Sequence, residues 1–180
     1  MLRALVLTIG LIAAGNLSAD TPEQVLEGYA VQARDEDPGF TGFSAERGAA
    51  FYREPHAIKG AGVWSCSSCH LKDPRYSVRA HRTDIPCRAC HVINDWEHPD
   101  PKHAKKRVID AFAPSANPIR LTDAHRVENF LKLNCLLLLQ RECSTKEKGD
   151  VIAYLLTIDG GPKGDLISVG HKPIGGVDDE

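Results

Sequence analysis

Two copies of a short motif, Cys-x-x-Cys-His, constrain this chain more than any other feature. They occupy residues 66–70 and 87–91. In this pattern two thiols add across the vinyl groups of a haem, and the histidine that follows becomes the proximal ligand of the iron. We therefore predict two covalently bound haem c groups, attached at Cys66, Cys69, Cys87 and Cys90, with His70 and His91 on the two irons.

Two other functions are possible for such a motif. A lone Cys-x-x-Cys can be a redox-active dithiol or one half of a zinc site. Both are disfavoured here because the pattern occurs twice and a histidine completes each copy. A zinc site also needs four ligands in tetrahedral geometry, and nothing in the sequence pairs the cysteines in that way.

The N-terminus has the pattern of a secretory signal peptide over residues 1–19. Arg3 precedes an apolar stretch of about eleven residues, and residues 17–19 are a cleavage site with small side chains. A membrane-spanning helix needs about twenty apolar residues, so an uncleaved anchor is the weaker interpretation. We expect a soluble periplasmic protein of about 160 residues, enough for one compact domain.

The formal net charge of −2 excludes one class of function. A chain without a basic field is not expected to bind nucleic acid. Haem propionates would make the surface more acidic, which favours a redox partner with a basic docking patch. We expect that partner to be a membrane cytochrome b or another cytochrome c.

Apolar residues at helical spacing predict an all-α protein with no convincing strand pattern. Ser44 is placed to cap the helix predicted at 43–52, and Thr122 the helix predicted at 122–134. Ser144 and Glu147 have the spacing of a capping box at the start of the last helix. The loop 113–118 is expected to be extended because its prolines disfavour helix for the residues before them. The predicted helices cover residues 22–34, 43–52, 122–134 and 145–157.

These elements divide the mature chain into parts. We predict an N-terminal helix and linker over 20–42, a haem domain over 43–159, and an irregular glycine-rich tail over 160–180. The second motif lies in a stretch rich in proline and histidine, with one helix that Asp100 would cap. The order of helix, first motif, loops and closing amphipathic helix looks like a class I cytochrome c, in which the first and last helices cross beside the haem.

The sixth ligand of each iron is the main open question. Methionine is a common partner in cytochromes c, but Met1 is the only methionine of this chain. For the second iron we favour His103, twelve residues after His91, a separation that spans up to about 40 Å when extended. His81 and His98 remain alternatives. An iron with two histidines has no open site, so we expect this haem to relay electrons.

Cys135 and Cys143 remain after the four haem cysteines are assigned. An even pair in an oxidising compartment indicates a disulfide, and the alternative is two buried thiols. A disulfide would fix the position of Asn134, the residue before Cys135. Considered alone, Asn134 is an amide at a helix end and a typical C-cap.

Several segments resemble the sphaeroides haem protein family, which are small oxygen-binding cytochromes c. The resemblance covers residues 43–82 and 110–158 and rests on 43–48, 66–70, 73–75, 113–118, 122–123, 127–128, 134–135, 141–143, 147–150 and 153–155. Family members carry one haem with histidine and asparagine on the iron. The asparagine leaves on reduction and opens a site for O₂, NO or CO. The resemblance implies that Asn134 is this ligand for the haem of His70.

Two departures from the family determine the functional hypothesis. Residues 84–109, with the second motif, look like an insertion into a single-haem scaffold. Residues 136–139 are four leucines that either cover the first haem or dock a partner, and haem-pocket packing is the simpler interpretation.

We predict a dihaem cytochrome in which one haem binds a small gas and the other supplies electrons. A plain electron carrier with two closed irons is the alternative, and an oxidoreductase acting on O₂ or nitrogen oxides stays open.

Overall fold

The computed structural model describes residues 19–58, 62–79, 108–158 and 166–168. Within these ranges the helices are α1 (Pro22–Glu36), α2 (Ala45–Arg53), α3 (Cys66–His70), α4 (Ala124–Leu139) and α5 (Thr145–Leu156). The strands are β1 (His56–Ile58), β2 (Gly62–Trp64), β3 (Ser77–Arg79), β4 (Val108–Ile109) and β5 (Leu166–Ser168). No helix in this part of the chain is long and apolar enough to span a bilayer. The predicted signal peptide and the helix after Asp100 lie outside the described residues.

Three of the predicted helices are confirmed as α1, α2 and α5. The Ser44 side chain accepts a hydrogen bond from the amide of Arg47 and caps α2. Ser144 and Glu147 form the predicted capping box at the start of α5. These boundaries were predictable because a cap depends on residues within one turn of the helix end.

The helix that carries Asn134 is longer than predicted. Asp123 caps it in place of Thr122, and its side chain accepts a hydrogen bond from an amide of the first turn. The helix continues through four leucines to Leu139 and ends at Gln140, which has a left-handed φ of 56°. Asn134 therefore lies inside α4, and its interpretation as a C-cap is wrong. Leucine is a good helix former, so nothing after Asn134 stops the helix.

The prediction of no strands is wrong. β1 and β2 form an antiparallel pair, and β3 is the centre of a three-stranded sheet, antiparallel to β4 and parallel to β5. Each strand has only two or three residues, too few for an alternating pattern to be visible in the sequence. β5 lies in the tail, which is therefore not irregular throughout.

Strands β3 and β4 bring the two ends of the second-haem segment together. Val78 pairs with Ile109, and Arg79 pairs with Val108. Residues 80–107 therefore leave and rejoin the domain at one strand pair, which is the arrangement that an insertion requires. We call this strand pair, β3 with β4, the stem. Residues 108 and 109 belong to the stem rather than to the inserted segment.

The segment after β4 forms hydrogen-bonded turns, so the prediction of an extended loop is wrong. The amides of Ala116 and Asn117 both donate to the Ala113 carbonyl oxygen, at 3.0 Å, and the amide of Arg120 donates to the Asn117 carbonyl oxygen at 3.0 Å. Each proline restricts the residue before it, but the residues that follow are free to form turns. These turns set Phe112 and Arg120 against the core.

The core is centred on the crossing of α2 and α5, as in the class I arrangement. Tyr52 of α2 and Ile152 and Leu155 of α5 are completely buried. At the crossing, Gly48 lies directly against the backbone of Asp150, and a Cβ atom on residue 48 would overlap the Asp150 carbonyl group. Glycine is required because no other residue lets the two backbones approach this closely.

Replacing the crossing glycine tests this packing. Gly48→Ala is expected to lower the free energy of unfolding by about 2 kcal/mol, because overpacking against a rigid backbone costs about 1–3 kcal/mol. Gly28→Ala in α1 is the matched control. Nothing lies within 4 Å of a Cβ atom at that position, so the variant should gain about 0.8 kcal/mol from helix propensity. Thermal denaturation compares them, and a Gly48→Ala protein as stable as the Gly28→Ala protein would contradict the close crossing.

Candidate haem site

A cavity whose empty space is about 650 Å³, counting the solvent at its open mouth, gathers the residues that the sequence assigned to the first haem. Helix α3 contributes Cys66, Cys69 and His70 to its wall, and helix α4 contributes Asn134 and Cys135. The predicted proximal ligand and the predicted sixth ligand therefore line the same cavity. Apolar side chains supply most of the remaining wall: Phe51, Phe112, Phe130, Leu131, Leu137, Leu138, Leu139 and Val151.

Helix α3 is a single capped turn that carries both thiols. The Ser65 hydroxyl accepts a hydrogen bond from the Ser68 amide at 3.2 Å, and the Ser68 hydroxyl accepts one from the Ser65 amide at 2.9 Å. Residues three apart share a helix face, and Cys66 and Cys69 both line the cavity. Burial raises the pKa of the Cys66 thiol to about 11. A redox-active dithiol requires the opposite shift, so the dithiol function loses support.

The buried imidazole of His70 is positioned by aromatic rings and by a constrained turn. The ring centroids of Phe112 and Phe130 lie 4.7 and 6.1 Å from its own. The next residue, Leu71, has a φ of 65°, a region that residues other than glycine rarely adopt. The Leu71 carbonyl oxygen accepts a hydrogen bond from the Tyr52 hydroxyl at 2.8 Å. The core of the fold thus holds the backbone next to the proximal ligand in an uncommon conformation.

A loop contact sets Phe112 against the proximal side of the site. The amides of Phe112 and Ala113 donate to the Pro74 carbonyl oxygen at 2.8 and 3.0 Å. Pro74 is buried in the turn 73–75, which is closed by hydrogen bonds from its arginine to its aspartate. The Asp-Pro-Arg turn that follows the attachment motif thus holds the backbone of Phe112, whose ring lies against His70.

The side chain of Asn134 borders the cavity and has a partner in its own helix. Its Nδ2 donates to the Phe130 carbonyl oxygen at 2.7 Å, one turn earlier in α4. A buried amide without a partner is costly. The helix offers this acceptor, so the Nδ2 group of Asn134 is satisfied within α4.

A disulfide links the residue after Asn134 to the segment just before α5. Cys135 and Cys143 form a disulfide with a Cα–Cα distance of 5.5 Å. Arg141 donates to both carboxylate oxygens of Glu147, at 2.6 and 2.8 Å, across the same loop. The connection beside Asn134 is therefore held by a covalent bond and by a forked ion pair.

The leucines at 136–139 form the last turn of α4 and pack inward. Leu138 is buried with Ile58 of β1 and Trp64 of β2. Leu137 and Leu139 line the cavity. These contacts support haem-pocket packing, rather than docking of a partner, as the role of the apolar run.

A charged group that the sequence did not indicate also lies on the cavity wall. The Lys148 side chain is 8% exposed and donates to the Glu128 carboxylate at 2.6 Å. Glu128 also accepts a hydrogen bond from the Tyr29 hydroxyl at 2.8 Å. Burial raises the pKa of the Glu128 carboxyl, but the hydrogen bonds from Lys148 and Tyr29 outweigh burial and hold the pKa below its usual value. Tyr29 is 99 residues from Glu128, so no local pattern could reveal the network.

The donor set of this cavity fits a covalently attached haem c. Two thiols on one helical face, a buried imidazole in the next position and a largely apolar wall meet the requirements of attachment and proximal ligation. Asn134 is the candidate sixth ligand. His56 also lines the cavity, although the sequence did not single it out.

The residues assigned to the second haem lie outside the described ranges. Their roles as attachment sites and iron ligands therefore stay predictions. They are Cys87, Cys90, His91 and His103, together with the alternatives His81 and His98.

Comparison with known proteins gives consistent matches. Residues 38–85 and 75–155 match the family described as a domain of unknown function, DUF1924. Cytochrome c-type protein SHP of Cereibacter sphaeroides is 31% identical over 156 residues, which cover 86% of this chain and 98% of that protein. The structure of oxidised SHP, an oxygen-binding cytochrome c, has a TM-score of 0.54 at 28% identity, covering 76% of this chain and 96% of SHP. Oxidised cytochrome c'' from Methylophilus methylotrophus shares the fold, with a TM-score of 0.57 at 24% identity and coverage of 78% and 96%.

Proposed function

The chain belongs to the DUF1924 family and is a cytochrome c-type protein related to SHP, and we propose that it is a dihaem cytochrome with divided tasks. The haem attached at Cys66–His70 has an exchangeable sixth ligand, Asn134, and binds a small gas when reduced. The haem attached at 87–91 relays electrons to it. One observation carries the proposal: both thiols, the proximal imidazole and the Asn134 amide line a single cavity.

Asn134 controls access to the first iron. When bound, the haem supplies a redox-active iron with histidine on one side. A neutral amide is a weak ligand, so Asn134 can hold the oxidised iron and release the reduced one. The carbonyl oxygen of Phe130, at 2.7 Å from Nδ2, would hold the amide nitrogen in α4 in either state and leave Oδ1 free to bind or to leave the iron. That the related SHP is described as oxygen-binding supports O₂, NO or CO as the gas.

The surroundings allow Asn134 to exchange without disturbing the fold. Aromatic and leucine side chains make up most of the cavity wall, which favours an uncharged ligand over an ion. The Cys135–Cys143 disulfide and the Arg141–Glu147 ion pair hold the adjacent loop. The side chain of Asn134 can therefore change partner while its backbone stays in place.

The second haem is proposed to be closed by two histidines. His103 is the proposed sixth ligand opposite His91, with His81 and His98 as alternatives. Cys87 follows the end of β3 at Arg79 by eight residues, which keeps its attachment point within about 28 Å of the stem along the chain. A closed iron attached within this distance of the haem domain suits electron relay.

We also propose where this cytochrome works and with what. A signal peptide over residues 1–19 would export it to the periplasm. A membrane cytochrome b or another cytochrome c would supply electrons to the second haem. Turnover of O₂ or a nitrogen oxide would make it an oxidoreductase at the first haem.

Titration of the reduced protein with carbon monoxide tests the proposal. We expect one CO per chain, because only the iron near Asn134 opens. The measurement is the change in the Soret absorption of the reduced protein, calibrated against its total haem content. Absence of CO binding would indicate a plain electron carrier with two closed irons. Two CO per chain would contradict a closed second haem.

A further inference from the structure

His56 is an imidazole on the wall of the haem cavity that has no role in the proposed function. It is the first residue of strand β1 and is partly buried. The ring of Phe51, which also lines the cavity, lies 6.2 Å from the His56 ring, centroid to centroid. A polar ring thus borders a space whose wall is mostly apolar.

Strand β1 packs on α4, the helix that carries Asn134. Alternate residues of a strand share a face, so His56 lies on the same side of β1 as Ile58. Ile58 belongs to one buried cluster with Leu138 of α4. His56 precedes Ile58 by about 7 Å along the strand, and Asn134 precedes Leu138 by about 6 Å along the helix. His56 and Asn134 therefore reach the cavity from two elements that pack on each other.

His56 is the polar side chain of this cavity with unused hydrogen-bonding capacity. Outside the attachment motif, the other polar side chains of the wall already have hydrogen-bond partners: Ser65, Asn134, Glu147 and Lys148. In the described part of the chain, no hydrogen bond reaches a ring nitrogen of His56. An imidazole carries at least one N–H donor in either protonation state, so His56 has a donor to offer.

The backbone of β1 holds this donor in place. His56 pairs with Trp64 of β2, which is almost completely buried. β2 is followed directly by Ser65, the residue that caps the attachment helix α3. The position of His56 is therefore fixed relative to the residues that attach the haem. A donor that the scaffold holds in advance needs no rearrangement when a ligand arrives.

We infer that the His56 imidazole donates a hydrogen bond to the gas bound in this cavity and thereby favours O₂ over CO. O₂ draws electron density from a reduced haem and becomes a good hydrogen-bond acceptor, whereas CO stays weakly polar. Donors in the ligand pocket are one means by which a haem protein selects O₂, and a mostly apolar wall strengthens such a bond. The inference rests on the proposed gas binding at the first haem and names the gas that the site prefers.

The test compares the affinities of the reduced full-length protein for O₂ and CO before and after His56→Leu. Laser photolysis of the CO complex in O₂–CO mixtures gives the association and dissociation rate constants of both gases. His56→Leu should weaken O₂ binding by about tenfold, mainly through faster dissociation, because one hydrogen bond to a partly charged acceptor is lost. The affinity for CO should stay nearly unchanged.

A second readout is the infrared C–O stretching band of the CO complex. Loss of a nearby N–H donor should move this band to higher frequency in His56→Leu. The band can be measured even if the O₂ complex of a variant oxidises quickly. Where His56→Leu does not fold, His56→Phe takes its place, because it keeps a ring beside Phe51 and also lacks the donor.

Two further variants make the test specific. His56→Gln keeps an N–H donor and should retain more of the preference for O₂ than His56→Leu. His125→Leu is the matched control, because His125 is exposed on α4 and contacts Asn129 at 3.2 Å. It should leave both affinities and the C–O band unchanged.

Three results would overturn the inference. The first is wild-type affinities and a wild-type C–O band in the variant that lacks the donor. The second is an equal loss of O₂ and CO affinity, which would indicate a change in cavity shape. The third is a change of the oxidised first iron to high spin in His56→Leu, which would make His56 an iron ligand. A wild-type protein that binds no CO would instead overturn the proposed function together with this inference, so the two failures are distinguishable.

Discussion

Asn134→Ala is expected to change the oxidised first haem from six-coordinate low-spin to high-spin iron. The substitution removes the proposed sixth ligand, and alanine has no atom that can replace it. Added imidazole should bind the oxidised variant at least about 10-fold more tightly, because a competing state populated above about 90% no longer blocks the iron. Absorption and electron paramagnetic resonance spectra measure the spin state, and an imidazole titration measures the affinity.

Asn129→Ala is the matched control for this substitution. Asn129 is exposed on the same helix, and its amide contacts His125 at 3.2 Å, so its loss should leave the spin state unchanged. An unchanged oxidised spectrum in Asn134→Ala would remove Asn134 as a ligand. His56, the other imidazole on this cavity within the described residues, would then be the candidate.

Removing the two attachment sites separately should have unequal consequences. Replacement of Cys87 and Cys90 by serine is expected to halve the covalent haem content and preserve CO binding by the reduced protein. The reason is that both thiols of the first cavity and Asn134 lie outside residues 80–107 and line one cavity in the described part of the chain. Mass spectrometry of the intact protein counts the haems, and a CO titration measures the open site.

The corresponding change of Cys66 and Cys69 to serine should abolish CO binding and destabilise the domain. An unfilled apolar cavity costs about 24 cal/mol per Å³. The enclosed part of this cavity measures about 50 Å³, so the void alone would cost on the order of 1 kcal/mol, and the lost packing against the haem would add to that cost. CO binding that persisted in this variant, or was lost in the Cys87 and Cys90 variant, would show that the tasks of the two haems are assigned wrongly.

Features that depend on neighbouring residues could be predicted from the sequence. Helix starts are an example, because Ser44 and Ser144 act on amides within the same turn. The end of α4 was placed too early because an asparagine is a common C-cap, whereas the leucines after Asn134 extend the helix to Leu139. The short strands were not predicted because pairing between distant segments, such as β3 with β5, stabilises them.

Sequence patterns could not predict contacts between residues that are distant in the chain. The Tyr29–Glu128 hydrogen bond joins residues 99 positions apart, and Tyr52 reaches the Leu71 carbonyl oxygen across 19. Each depends on which helices meet, and helical periodicity alone does not specify that.

The amino-acid sequence by itself predicted both attachment sites, because each motif holds its thiols and histidine within five consecutive residues. It also showed that Met1 is the only methionine, so the predicted sixth ligands are of other types. Only the tertiary structure decided that Cys66, His70 and Asn134 line one cavity. The physical reason is that attachment depends on local covalent geometry, whereas ligand choice and the burial of charge depend on how α3, α4 and the loop after β4 pack together.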